Sequence, residues 1–132
     1  MIDSEFVNKM IGVPWVNRGE SFSGADCWGV CTLSFLEIDG VELPKLNGYQ
    51  NKKCKTADAA KEAEQTGLFK RAQATNGAIM TVHDNHGNIT HVGRCLCGRV
   101  LHSTESMGAR WDTYAAINSQ FKNVRFYKYA AN

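Results

Sequence analysis

The sequence predicts an α+β domain, with helices in its first half and an antiparallel sheet in its second. Three observations carry that expectation. A helix-length apolar run containing Val30, Leu33 and Phe35 follows Asp26, and Asp39-Gly40 ends it. From residue 78 onward the pattern changes to short runs rich in Val, Ile and Thr. Tight-turn residues, Asp84–Asn88 and Cys97-Gly98, separate those runs. Helices that precede the strands, rather than alternating with them, make the class α+β. At 132 residues the expectation is a single domain over 1–132, large enough to bury its own core.

Taken in order, residues 3–11 read as a short helix, capped by Asp3 or Ser4, with Phe6 and Met10 four apart on one face. A glycine-bearing loop follows, from Gly12 to Ala25. Asp26 is placed to cap a helix over Cys27–Ile38. Residues 41–55 read as irregular. Thr56 is placed to cap a helix over 57–66 that Gly67 closes. Strands are expected at Ala78–His83, Thr90–Cys97, Arg99–Ser103 and Asn123–Tyr129.

The net charge of +2 is too small to argue for a nucleic-acid partner. Basic residues gather only locally, at Lys52, Lys53 and Lys55 and at Lys70-Arg71, and such short runs read as solvated faces. No run reaches the roughly 18 apolar residues that span a bilayer, and no basic, then apolar, leader opens the chain. Five cysteines are an odd number, so at least one has no partner within the chain. The expectation is a chain made in a cytoplasm, with reduced thiols and no membrane association.

Cys27 is the residue that most needs a reason. Behind an N-cap it falls in the first turn of a helix, where unpaired N–H groups and the helix dipole stabilise an anion. That placement favours the thiolate, the nucleophilic form. Gly24 and Gly29 on either side leave room for a substrate backbone. The same position suits an inert core cysteine equally well.

A thiolate nucleophile needs a base, normally histidine. His86 sits in the Asn85–Asn88 turn and reads as exposed; His83 ends a strand and fits either role. If Cys97-Gly98 are the two turn residues, position 96 faces 99, 93 faces 102 and 91 faces 104. His91 and His102 then project from one face as diagonal neighbours. This geometry fits a base and its orienter, and it fits a structural pair or metal ligands too.

The segment Ile11-Gly-Val-Pro-Trp-Val-Asn-Arg-Gly19, then Gly24-Ala-Asp-Cys-Trp-Gly-Val30, resembles the nucleophile region of NlpC-type cysteine peptidases. His91-Val-Gly93, continuing to Val100-Leu-His-Ser103, is similar to that family's histidine strands. The resemblance runs from about residue 8 to residue 104. The Asp-Cys-Trp-Gly wording, Gly40-Val-Glu-Leu-Pro44 and Leu101-His-Ser-Thr104 look most like the version in bacteriophage tail proteins.

The resemblance implies a papain-like fold, with the cysteine helix packed on an antiparallel sheet that supplies the histidines. It makes Cys27 the nucleophile, His91 the base and later the acid, and His102 the orienter of His91. Trp15, Asp26 and Trp28 fall on the oxyanion and substrate side of the site. The implied reaction is hydrolysis of a peptidoglycan stem-peptide amide, of the D-γ-glutamyl-diaminopimelyl or lysyl kind, through an acyl-enzyme. No metal or organic cofactor is implied. The implied partners are the stem peptide and other phage tail proteins, and the implied location is a virion tail, or host cytoplasm before assembly, acting on the periplasmic wall.

The chain departs from the family's pattern twice. Trp15 stands where many members have a tyrosine that helps hold the oxyanion, and its indole N–H is a donor in a different place. Gly77-Ala78 stands where Gly-Asp is usual, which reads as a lost structural contact. Two other readings stay in view. One is a zinc-binding structural protein using Cys95, Cys97, Cys27, Cys31 and Cys54, against which Cys95 and Cys97 share one side of a strand, where cysteine packs as a small hydrophobe. The other is a non-catalytic tail-assembly component with the same fold.

Overall fold

The computed structural model describes residues 1–43, 65 and 67–130. Pro44, Cys54, the run Lys52–Lys55, the Thr56 cap and nearly all of the helix expected at 57–66 lie outside the described residues. No described helix is long and apolar enough to cross a membrane.

Helix α1 spans Asp3–Met10 and buries Phe6, Val7 and Met10. Its N-cap is Ile2, whose side chain makes no capping bond, so neither Asp3 nor Ser4 is the cap. Asp3 and Glu5 sit inside the first turn instead, where their charge favours the helix dipole. Asp3 also accepts a hydrogen bond from Asn76 Nδ2 at 2.8 Å. Within the glycine-bearing loop from Gly12 to Ala25, Glu20–Ser21 (β1) and Gly24–Ala25 (β2) form a two-residue antiparallel pair. Helix α2, Cys27–Asp39, begins behind the Asp26 cap as expected. It ends on Gly40, whose left-handed φ of 67° suits glycine.

A six-stranded antiparallel sheet follows, ordered β3-β8-β4-β5-β6-β7. Its strands are Phe69–Ala72 (β3), Ile79–His83 (β4), Ile89–Leu96 (β5), Arg99–Thr104 (β6), Gly108–Asp112 (β7) and Val124–Tyr129 (β8). Helix α3, Tyr114–Gln120, is capped by Thr113, whose side chain accepts from Ala116 N. Strands β3 and β7 and helix α3 have no counterpart in the sequence reading. Cys97 and Gly98 are the two turn residues between β5 and β6, and both have positive φ, at 52° and 81°. Leu96 faces Arg99, Cys95 faces Val100 and Arg94 faces Leu101, which is the expected register. Cys97 therefore belongs to the turn and is exposed, while Cys95 is fully buried; the two do not share a strand face.

Neighbouring strand residues point to opposite faces, and both faces here are covered. Ile79 joins Val92 and Tyr127 under Trp28, Cys31 and Phe35 of α2. Met80 and Val82 join Cys95 and Val100 around Ile117 of α3. Helix α1 and Val13 complete a third cluster with Val30, Leu33, Leu96 and Leu101. Arg94 fastens α2 to β5: its guanidinium lies 3.7 Å above the Phe35 ring. It donates to Ser34 Oγ at 3.0 Å and to Gly77 O at 3.1 Å, and pairs with Asp39 at 2.8 Å. A buried arginine is tolerable because each of these partners answers part of its charge.

The glycines beside the predicted site serve the protein itself. A Cβ on Gly29 would collide with the Gly19 carbonyl, and one on Gly24 with the Val16 side chain. Their space is filled by the loop, not held open for a substrate backbone. Gly93 is similar, since a Cβ there would lie 2.9 Å from His102 Cβ, Leu101 O and Val100 Cγ1. The room it leaves is taken by the strand that carries His102. Overpacking of this kind costs about 1–3 kcal/mol, so Gly93→Ala should lower the midpoint of chemical denaturation. An unchanged midpoint would show that β5 and β6 are less tightly apposed than described.

Candidate active site

The site begins with a turn held from both sides. Asp26 is buried, and its two carboxylate oxygens accept backbone N–H groups: Gly29 at 2.7 Å and Arg18 at 2.8 Å. The first bond caps α2 and the second ties the cap to the preceding loop. Asp26 N–H donates to Gly19 O at 3.2 Å, and Ala25 N–H donates to Pro14 O at 3.1 Å. These bonds set half-buried Trp15 alongside the chain that leads into Cys27. Cys27 opens α2 and is itself only partly buried. Asp26 therefore holds the turn through main-chain bonds. Trp28 is 4% exposed and meets Phe69 edge-on with ring centres 6.4 Å apart, so its ring packs into the core.

The histidines come from β5 and β6. His91 Nε2 lies 2.8 Å from His102 Nδ1, so the diagonal pair expected from the turn register is formed. The β4–β5 register shifts between Val82 and His83: Val82 faces His91 while His83 faces Ile89, leaving Thr90 as the extra residue. A bulge re-aims side chains, and this one adjoins His91. The His91 ring stacks on Phe121, the C-cap of α3, at 5.2 Å and 24°. His102 is fully buried, and its Nε2 lies 2.8 Å from Asp112 Oδ2 on β7. Arg110 Nη2 reaches the other oxygen of Asp112 at 3.4 Å. One residue beyond His102, Ser103 Oγ donates to Ala25 O at 2.8 Å, joining β6 to the loop just before Cys27. Helix α2 packs across both β5 and β6, which brings the Cys27 helix onto the histidine strands.

The other two histidines are placed elsewhere. His83 shares a 2.8 Å hydrogen bond with Thr81 Oγ1 and lies 3.3 Å from Gly87 O, so it braces the β4–β5 turn. His86 is exposed in that turn. Of the cysteines named as zinc ligands, Cys31 and Cys95 are core residues and Cys97 is at the turn tip. Among the described residues no three His, Cys, Asp or Glu side chains converge as metal ligands.

The sequence profile of the NlpC/P60 family matches residues 12–126, most of the chain. The chain belongs to the NlpC/P60 family. Solved NlpC/P60 structures share its fold. The NlpC/p60 domain of the peptidoglycan hydrolase SagA aligns with a TM-score of 0.61 at 20% identity, over 95% of this chain and 92% of that one. A lipoprotein-like NLP/P60 protein from Staphylococcus aureus aligns at 0.62 and 18% identity, over 99% of this chain. A Bacillus cereus NlpC/P60 protein aligns at 0.56 and 18%, over 86% of this chain. The chain spans 41% and 35% of the length of those last two proteins. No curated protein sequence matches it significantly.

Within this NlpC/P60 domain the electrostatics of His91 are distinctive. Burial, helped by the neighbouring His102, lowers its pKa from 6.5 to about 4. At neutral pH the ring is therefore uncharged and carries a lone pair on one nitrogen, the form a proton acceptor needs. The folded state refuses a proton that the unfolded chain accepts below 6.5. Stability contributed by the neutral ring is thus complete above that pH and is lost as pH falls towards 4. By contrast, Cys31, one turn along α2 from Cys27, has its thiol pushed up by complete burial and by the adjacent Cys27. It stays a protonated core thiol.

Asp112 and Phe121 were not singled out by sequence reasoning. The signal for Asp112 was present as a hairpin: Thr104–Gly108 contains a glycine with φ of 72°, and β7 alternates after it. Phe121 reaches His91 only through the placement of α3. Because Phe121 lies flat on the imidazole, Phe121→Ala should admit water and raise the His91 titration midpoint from about 4 towards 6.5 in an NMR titration. A midpoint still near 4 would mean that other groups exclude the water.

Proposed function

We propose that the chain is a cysteine peptidase that hydrolyses amide bonds in the peptidoglycan stem. The observation that carries this reading is the 2.8 Å bond between His91 Nε2 and His102 Nδ1, on strands packed against the helix that Cys27 opens. Membership of the NlpC/P60 family supports it, as does the likeness to the domain of a peptidoglycan hydrolase.

In this reading the Cys27 thiol gives its proton to His91 and the thiolate attacks the amide carbonyl. The Cys27 backbone N–H, fixed at the start of α2, faces the developing oxyanion, and Trp15 lies on the same side. His91 then returns its proton to the leaving amine, and the acyl group stays on Cys27. Water, deprotonated by His91, releases the acid and restores the thiol. His102 holds His91 in place. Asp26 contributes by fixing the turn, and Trp28 by seating α2 on the sheet. No step calls for a metal or an organic cofactor.

The bond proposed is the one between D-γ-glutamyl and diaminopimelyl or lysyl residues, and the proposed setting is a phage tail that meets the periplasmic wall. The bond follows from the resemblance to NlpC-type peptidases, and the tail setting from the sequence wording around Cys27, Gly40–Pro44 and Leu101–Thr104.

Digestion of purified peptidoglycan and of synthetic stem peptides, with products read by mass spectrometry, tests the proposal. The parent protein should release a new amine and a new carboxylate at one bond. Cys27→Ala and His91→Ala should each lose on the order of 10³-fold or more in rate, and His102→Ala less. Cys31→Ala should keep its activity. Cleavage by Cys27→Ala at the parent rate would sink the mechanism.

A further inference from the structure

His91 does not end its hydrogen-bond chain at His102. His102 is completely buried between two partners, His91 on its Nδ1 side and Asp112 on its Nε2 side, each at 2.8 Å. Asp112 is held in turn, because Arg110 reaches its other oxygen and β7 is paired to β6 along its length. In that register His102 faces Arg110, so Asp112 is the diagonal neighbour of His102, just as His102 is of His91. Three side chains from three successive strands thus form one line ending in a carboxylate.

The chemistry of the line follows from which atoms can donate. An ionised carboxylate only accepts, so His102 Nε2 must carry the hydrogen that points at Asp112. A neutral His102 then has a bare Nδ1, which accepts. The bond to His91 Nε2 is therefore donated by His91, and the bare nitrogen of His91 is Nδ1. That is the nitrogen left to act as a base, because Nε2 is committed to His102. We infer that Asp112 is a positioning residue for the hydrolysis: through His102 it fixes the tautomer of His91, so that Nδ1 carries the lone pair that takes the Cys27 proton.

This inference rests on Cys27 and His91 being nucleophile and base. It adds a residue that touches neither of the reacting atoms. When His91 takes the thiol proton the imidazolium keeps Nε2–H bonded to His102, and the negative charge of Asp112 lies at the far end of the same line. The carboxylate itself need not take up a proton, as in hydrolytic triads where an aspartate orients histidine.

Asp112→Asn is the informative change, since a carboxamide can donate as well as accept. Its NH₂ can bond a bare His102 Nε2, which moves the hydrogen to His102 Nδ1. His91 Nε2 must then accept, leaving the hydrogen on His91 Nδ1, where the base should be. Asp112→Glu restores an acceptor. The experiment is long-range ¹H–¹⁵N NMR of the histidine side chains at neutral pH, with kcat and KM for stem-peptide cleavage measured on the same samples.

The parent protein should show both His91 and His102 with the hydrogen on Nε2. In Asp112→Asn both should move towards the Nδ1–H form, and kcat should fall by about tenfold or more with little change in KM. Asp112→Glu should recover much of both signals. Three results would overturn the inference: unchanged tautomers in Asp112→Asn, a His102 carrying hydrogens on both nitrogens in the parent, or a full kcat in Asp112→Asn. The NMR measurement needs no substrate. A tautomer switch in Asp112→Asn, with a parent that cleaves no stem peptide, would uphold Asp112 as the residue that sets the His91 tautomer and remove the peptidase reading instead.

Discussion

The site depends on strand register. A slip of one residue between β5 and β6 would turn every side chain of one strand to the other face. The register is set by Cys97-Gly98, two residues with positive φ that close the hairpin without a spare position. With that turn in place His102 stands diagonal to His91, and the β6–β7 pairing repeats the offset from His102 to Asp112. The bulge opposite Val82 and His83 is the one departure from regular pairing on β5, and it falls beside His91. Where the sheet is regular it lines up the polar chain; where it is irregular it adjusts the residue that ends it.

A second constraint brings the helix to the sheet. Adjacent residues of β6 do different jobs because they point to opposite faces. His102 joins the line to Asp112, while Ser103 bonds the carbonyl of Ala25, two residues before Cys27. Asp26 then spends both carboxylate oxygens on backbone N–H groups, one within α2 and one in the loop. At the other end of the helix, Arg94 clamps Ser34, Asp39 and Phe35 to β5. The position of Cys27 is thus fixed by bonds before it and after it along the chain. The Gly29–Asp26, Arg94–Ser34 and Ser103–Ala25 bonds are buried, and there losing one partner leaves the other's desolvation uncompensated at a cost of about 1–3 kcal/mol.

Much of this was readable in the residues, and the omissions have physical causes. Asp26, Cys27 and Gly40 delimit α2 because caps act through local geometry, which a sequence states directly. The β5–β6 hairpin was legible for the same reason: its turn and both strands are contiguous. Asp3 and Ser4 have the chemistry of a cap but lie inside α1, behind an apolar Ile2. Gly24 and Gly29 suggest room for a substrate backbone, whereas Val16 and Gly19 fill that room. A glycine shows that something approaches closely, not what approaches. Cys97 fits both the end of a strand and the first turn residue in the sequence, because alternation alone does not mark where a turn begins. Asp112 and Phe121 reach the histidines by tertiary placement of β7 and α3, and short elements of five and seven residues leave a weak periodic signal.

The proposed mechanism requires that the Cys27 thiol be activated by its place at the start of α2 and by His91. The direct measurement is the rate of alkylation of each cysteine in the native protein by a small haloacetamide near neutral pH, read by peptide mass spectrometry. Cys27 should react well ahead of Cys97, although Cys97 is the more exposed of the two. His91→Ala should slow Cys27 and leave Cys97 unchanged. If Cys97 reacts faster than Cys27, or if His91→Ala leaves the Cys27 rate as it was, the thiol is not activated and the account fails at its centre.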